Sequence, residues 1–152
     1  MILTQEFEVH APRQVVWDFL LDEKRAGACM PGVEQVERID EQTYQVRLSV
    51  KVGPIKARFG GQVMIIETQP PDSLKVTADW KDGNTSSKAL VAANVELQES
   101  PEGVVTCRLT ADIGLTGVLA KYGQGIAQKK ANEINAAFAE CIRAALEPET
   151  AS

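Results

Sequence analysis

The residues that most often perform chemistry in proteins are few and widely separated in this sequence. Cys29, Cys107 and Cys141 stand far apart, and His10 is the single histidine. Zinc sites need cysteine and histidine ligands at short, regular spacings, so we predict no metal site. We interpret the cysteines as small hydrophobic residues, and Cys29 is the one to test for reactivity.

Sequence motifs for catalysis are absent as well. The sequence has no G-x-S-x-G nucleophile elbow, no glycine-rich phosphate loop and no H-E-x-x-H pair. Asp79 and Asp112 alternate with apolar residues and therefore fall on the solvent-facing side of predicted strands. Only Tyr122 and Lys130 combine a titratable group with an inward position. We therefore predict no catalytic residues and a protein that is not an enzyme.

The charge balance narrows the range of partners. The 152 residues include 16 lysines and arginines against 21 aspartates and glutamates, which gives a formal net charge of −5. Nucleic-acid binding needs a basic surface, so we predict no nucleic-acid partner. The first residues lack the basic start and apolar run of a signal peptide, and no segment is apolar enough to span a membrane. The odd number of separated cysteines indicates a reducing compartment, so we expect a cytoplasmic protein.

Hydrophobic periodicity predicts the elements that position these side chains. From Tyr44 to Val52, apolar and polar residues alternate, which indicates a strand with one dry and one wet face. The full order is one strand, two short helices, about six further strands and one long helix from Thr116 to Leu146. Short turns such as 81–84 make the sheet antiparallel.

The long helix must bury one face against the dry face of the sheet. At 100° per residue, the inward stripe is predicted to contain Leu119, Tyr122, Ile126, Ile134, Ala137, Cys141 and Ala145. Gly123 and Lys130 also fall on this stripe, whereas Gly125 falls outside it. The dry face mixes bulky residues such as Phe59 with many small ones such as Ala89, and the small residues leave apolar space opposite a straight helix. The alternative is that the sheet curves until the gap closes.

Three stretches of the sequence resemble the CoxG family of carbon monoxide dehydrogenase subunits, within the START-like, or helix-grip, superfamily. They are ACMPGVEQVE at 28–37, KVGPIKARFGGQV at 51–63 and YGQGIAQKKANEINAAF at 122–138. The resemblance implies an α+β fold in which a curved seven-stranded antiparallel sheet wraps around a long C-terminal helix. Two short helices follow the first strand, and an internal hydrophobic cavity is expected. We predict one domain over residues 1–147 and a short tail over 148–152.

The resemblance also implies a function. Family members are associated with a molybdenum-containing carbon monoxide dehydrogenase, and they are implicated in its attachment to the membrane and in handling its lipid quinone. We expect a carrier or docking accessory that binds an isoprenoid quinone or similar lipid non-covalently, without a covalent cofactor. It would act in the cytoplasm, at the inner face of the membrane. Two alternatives remain: a structural subunit that recruits the dehydrogenase without a ligand, and an enzyme acting on a small aromatic or polyketide-like substrate.

The predicted ligand-binding residues are inward positions around the expected cavity. They are Trp17, Phe59, Trp80, Ala89, Val91, Leu119, Tyr122, Gly123, Ile126 and Lys130. Trp17 and Trp80 would stack on a flat ring, and the alternative for each is ordinary core packing. Lys130 would meet a polar group of the ligand, or else extend past the helix edge into solvent.

Overall fold

The computed structural model describes residues 1–122 and 124–147, and of Gly123 only its place as the first residue of the last helix. The strands are β1 (Ile2–Val9), β2 (Val33–Arg38), β3 (Thr43–Val52), β4 (Ile55–Gln69), β5 (Ser73–Asp82), β6 (Lys88–Glu99) and β7 (Val105–Thr116). The helices are α1 (Arg13–Leu21), α2 (Glu23–Cys29), a 3-10 helix (Val118–Tyr122) and α3 (Gly123–Leu146). This order confirms the predicted fold class. The predicted tail at 148–152 lies outside the described residues.

All seven strands form one antiparallel sheet in the order β1-β7-β6-β5-β4-β3-β2. The alternation that predicted β3 holds, because Val46 is buried on the inner face while its neighbour Arg47 is exposed. The sheet curls around α3 and leaves β1 and β2 as its edges. This arrangement is the predicted helix-grip architecture.

Among the described residues, helix α1 anchors the larger of two apolar cores. It follows Pro12, whose carbonyl accepts hydrogen bonds from the backbone N–H groups of Val15 and Val16 at 3.0 and 3.1 Å. Trp17 and Phe19 are buried together with Val16. We call this cluster the α1 core; its buried members are Val9, Ala11, Val16, Trp17, Phe19, Cys29, Leu74, Leu97, Val105, Cys107 and Ile142. The core fixes α1 on the sheet and on the C-terminal half of α3.

The last helix begins later than the predicted start at Thr116. Strand β7 continues through Thr116, and Gly117 then turns the chain with a φ of +83°. A Cβ atom at Gly117 would lie 2.9 Å from Cα of Ser87, so the close approach of the two backbones requires glycine. A 3-10 turn follows, and α3 proper has 24 residues. It is therefore about 36 Å long.

Helix α3 is held along two flanks, and this corrects the predicted inward stripe. One flank carries Lys130, Ile134 and Ala137 and faces β3 and the turn before β2. The other flank faces β1, where Asn135 Nδ2 donates to the carbonyl of Glu6 at 3.2 Å.

The deepest positions of α3 lie on or beside the flank that faces β1, because Ala139 is four residues from both Asn135 and Arg143, which donate to β1 carbonyls. Ala139 and Ile142 are buried, whereas the predicted positions Ala137 and Ala145 are exposed. A projection with a single stripe identified only the flank that faces β3, because it assumed that the helix is contacted from one side.

Two of the cysteines form a disulfide, which corrects their interpretation as separate hydrophobic residues. Cys29, at the end of α2, is bonded to Cys141 of α3, with their Cα atoms 5.4 Å apart and 112 positions between them in sequence. Cys107 is free and buried. The pairing removes the argument for a reducing compartment, because that argument rested on separated cysteines.

Candidate functional site

The inner face of the sheet is incompletely covered by the helix it surrounds. The backbone of α3 comes closest to β1 and also approaches α2 and β3, whereas it stays farther from the central strands β4–β6. Inner-face residues of these strands, such as Val63, Ala78 and Ala93, are accordingly only half-buried. Native cores are packed to high density, so half-exposed apolar residues here indicate unfilled space.

One apolar pocket of about 240 Å³ opens in this space, beneath the junction of α1 and α2. Nearly all of the atoms exposed in the pocket are apolar. Its lining residues are Leu20, Leu21, Glu23, Val36, Tyr44, Val46, Val63, Ile65, Leu74, Val76 and Val95. A cavity of about 150 Å³ holds benzene, so this pocket suits a hydrocarbon group of roughly ten carbon atoms.

The predicted binding residues largely gather elsewhere, at the end of the sheet where the β3–β4 and β5–β6 hairpins turn. Phe59 and Leu119 are buried there, and Trp80 packs against them. Ala89 on β6 is the cross-strand neighbour of Trp80 on β5. We call Ala57, Phe59, Leu119 and their neighbours Leu48, Val50, Val52, Ile55 and Trp80 the hairpin-end cluster.

Two further predicted residues lie beside this cluster. Side-chain atoms of Tyr122 and Ile126 lie 3.6 to 3.8 Å from where a Cβ of Gly53 would stand. The chain thus brings most of the predicted set together, in a packed group next to the turn at Gly53.

Three predicted residues stand apart from that cluster. Trp17 is buried in the α1 core, and Val91 is half-buried in the middle of β6. Lys130 keeps 29% of its side chain exposed, pairs with Glu133 at 3.2 Å and lies beside Ser49 and Val50 of β3. The surroundings of Gly123 lie outside the described residues. Ligand contact by the predicted set stays a prediction, and none of its members lines the pocket beneath α1 and α2.

The sequence pattern predicts that several pocket-lining residues point inward, but it does not predict the pocket. Val76 and Val95 occupy inward positions of alternating strands, as the period-two pattern indicates. Leu20 lies on the apolar face of α1. The sequence pattern does not specify where α1 and α2 cross the sheet, and that crossing decides which inward residues border open space.

Asp82 is a buried carboxylate that the sequence pattern identified only as part of a turn. Its Oδ1 accepts from the N–H groups of Arg58 and Asn84 at 3.0 and 3.1 Å, and its Oδ2 accepts from the N–H of Thr85 at 3.2 Å and from the Thr85 hydroxyl. Burial alone raises the pKa of Asp82, but the hydrogen bonds from Thr85, Asn84 and Arg58 outweigh it and hold the pKa below its ordinary value. Both oxygens are occupied by the turn, so Asp82 organises the β5–β6 hairpin.

The outer face of the sheet carries a second concave surface. A groove of about 600 Å³ crosses the outer face of the sheet, where Leu90 is 60% exposed between Asp79 and Gly114. Within residues 1–147, no group of three or more His, Cys, Asp or Glu side chains could hold a metal ion. Over the same residues, no helix has both the length and the apolarity needed to cross a bilayer.

Solved structures share this fold at low sequence identity. A conserved protein from Geobacillus kaustophilus matches with a TM-score of 0.87 at 18% identity, covering 95% of this chain and 94% of that chain. A START superfamily protein from Mycobacterium smegmatis has a TM-score of 0.69 at 10% identity, with coverage of 98% and 99%. The Zhui aromatase/cyclase from a Streptomyces species has a TM-score of 0.70 at 14% identity, with coverage of 95% and 92%. These similarities establish the helix-grip fold.

The sequence itself identifies a family. No curated protein matches the chain. The family model of the carbon monoxide dehydrogenase subunit CoxG matches residues 6–147, which is nearly the whole length and includes all three stretches that carry the resemblance. The chain therefore belongs to the CoxG family of carbon monoxide dehydrogenase subunits.

Proposed function

We propose that this protein binds the hydrocarbon part of a small lipid, such as the side chain of an isoprenoid quinone, in the pocket beneath α1 and α2. The observation that carries the proposal is the pocket itself, whose exposed atoms are nearly all apolar. A quinone carbonyl placed there would lose its hydrogen bonds to water, at a cost of about 1–3 kcal/mol. The pocket therefore receives the tail, and the polar ring stays outside the pocket, where its carbonyls keep their hydrogen bonds to water.

The size of the pocket sets the expected dependence on tail length. Each buried methylene contributes about 0.8 kcal/mol, which corresponds to roughly fourfold in Kd. Because the pocket holds roughly ten carbon atoms, affinity should rise with each added carbon up to that length and then level off. Binding to a ring without a tail should be the weakest of the series.

The family supports an accessory role for this ligand. We propose that the protein carries or presents the lipid to a molybdenum-containing carbon monoxide dehydrogenase at the inner face of the membrane. Support for the partner is the family membership, and support for the lipid is the apolar pocket.

The test is a binding series with naphthoquinones that carry alkyl tails of zero to fourteen carbons, measured by calorimetry. Val95→Phe places a bulkier side chain in the pocket and should weaken binding of the ten-carbon compound at least tenfold. Val15→Phe is the matched control, because Val15 is 41% exposed on α1 and lies outside the pocket. Equal affinity for all tail lengths, or an unchanged Kd in Val95→Phe, would refute the pocket assignment.

Extraction of the purified protein with organic solvent, followed by mass spectrometry, identifies any lipid it retains. Recovery of an isoprenoid compound is the expected result. No recovered lipid together with no affinity for any tailed quinone would favour a structural accessory subunit that binds no ligand.

A further inference from the structure

Helix α2 lies between the pocket and the disulfide. Its first residue, Glu23, lines the pocket, and its last residue, Cys29, is bonded to Cys141 of α3. Between them, a Cβ at Gly27 would lie 3.1 Å from Cγ2 of Val36, which is another residue of the pocket wall. A displacement of α2 would therefore change the pocket directly.

Besides the disulfide, α2 is held by contacts of two small or exposed side chains: Ala26 packs against the α1 core, and Arg25 lies over the Phe19 ring at 4.7 Å. The structure describes all of its residues, and Cys29 is the one that is buried, while Lys24, Arg25 and Ala28 are exposed. Asp22 caps the helix through its Oδ1, which accepts from the N–H groups of Lys24 and Arg25 at 3.1 and 3.2 Å. That cap is local, and a helix this short is not stable by itself in water.

The segments on either side of α2 are anchored independently. Before it, α1 is fixed by its buried residues Val16, Trp17 and Phe19. After it, the carbonyl of Gly32 accepts from the N–H of Ser49 at 2.8 Å. Loss of the disulfide would consequently loosen residues 22–31 without releasing the elements on either side.

We propose, on the basis of the function proposed above, that the Cys29–Cys141 disulfide is a redox switch for the pocket. The intact bond holds α2 beside the bound hydrocarbon, and its reduction frees α2 and speeds release of the ligand. Reduction requires two electrons and two protons from a dithiol reductant. The S–S bond breaks, Cys29 and Cys141 become thiols, and the two sulfurs of the reductant join in a new disulfide.

The third cysteine does not take part in this exchange. Cys107 is buried in the α1 core, and burial raises its pKa to about 12. At neutral pH it stays a thiol rather than a thiolate, and the thiolate is the reactive form. It thus supplies an internal control.

The experiment measures the dissociation rate of the ten-carbon naphthoquinone from the oxidised protein and from protein reduced with dithiothreitol. Reduction should raise the rate at least tenfold. The Cys29→Ser/Cys141→Ser variant should release the ligand quickly with or without reductant, and Cys107→Ser should respond as the wild type does. Rates within twofold of each other in the oxidised and reduced wild type would overturn the switch.

Hydrogen exchange provides a second measurement that needs no variant. Amides of residues 23–30 should exchange faster after reduction, while those of α1 stay protected. Unchanged exchange over residues 23–30 would also overturn the switch. Failure of the oxidised protein to bind any tailed quinone would refute the proposed function itself. Binding with the same dissociation rate in the oxidised and reduced protein would refute only the switch.

Discussion

Replacement of Asp82 by asparagine tests whether this buried acid organises the hairpin or serves a ligand. Asparagine keeps the shape of the side chain but turns one acceptor oxygen into an NH₂ group. The carboxylate accepts from three backbone N–H groups and from the Thr85 hydroxyl. At least one backbone N–H in Asp82→Asn therefore faces a donor in place of an acceptor.

These contacts determine how much unfolding free energy the Asp82→Asn substitution removes. A buried N–H that loses its acceptor costs about 1–3 kcal/mol, and hydrogen bonds to a neutral amide are weaker than those to a carboxylate by roughly 1 kcal/mol. Relief of the buried charge offsets part of this loss. We expect Asp82→Asn to lower the free energy of unfolding by about 2–4 kcal/mol. For a protein of this size, that lowers Tm by roughly 5–15 °C.

The assay is urea unfolding followed by circular dichroism, with quinone binding measured on the folded variant. Asp79→Asn is the control, because Asp79 lies on the same strand but is exposed, and its substitution should change stability by less than about 0.5 kcal/mol. Affinity for the ten-carbon quinone should be unchanged in both variants. Equal stabilities of the two variants, or lost binding in a stable Asp82→Asn protein, would refute the structural role.

The same residue predicts a dependence on pH. The pKa of Asp82 is lowered in the folded state from an ordinary value of 3.8, so its stabilising contribution is complete above about pH 4. That contribution is lost as pH falls through the lower folded pKa. The stability difference between wild type and Asp82→Asn should be constant from about pH 5 to 8 and shrink below about pH 4. A difference that stays constant as pH falls below about 4 would contradict this account.

Three further substitutions and one chemical probe follow from the packing. Gly32→Ala should lower stability by more than about 2 kcal/mol, because φ is +85° and the new Cβ would stand 2.1 Å from the carbonyl oxygen of Ser49. Gly125→Ala should instead raise stability by about 0.5–1 kcal/mol, since Gly125 has open space around it on α3. Ile142→Ala, at a fully buried position, should cost about 2–5 kcal/mol in urea unfolding. The Cys107 thiol should stay unreactive toward an aromatic disulfide reagent at about pH 8 until the protein unfolds, and immediate reaction of the folded protein would contradict its burial.

The elements of this fold were predictable because each depends on a local pattern. Strand β3 followed from strict alternation between Tyr44 and Val52, and its inner face is confirmed. The start of α3 was missed because the tight approach of Gly117 to Ser87 is a tertiary contact that ends the extended chain. Local periodicity carries no information about such a contact.

The candidate site depends more than the individual strands and helices do on how distant segments pack together. The Cys29–Cys141 bond joins residues 112 positions apart, and they are close because α2 packs against α3. The open pocket likewise depends on where α1 and α2 cross the sheet. Inward residues such as Val76 and Val95 were identifiable from alternation, but whether they border a filled or an empty volume was not.

The contacts between α3 and β1 have a consequence for solubility. β1 is an edge strand, and an edge with free carbonyl groups is a template onto which another chain can add a strand. Here Asn135 donates to the carbonyl of Glu6 at 3.2 Å, and Arg143 Nε donates to that of Glu8 at 2.8 Å. The helix that the sheet surrounds therefore also blocks the edge from intermolecular pairing, so any state in which α3 leaves β1 is prone to aggregate.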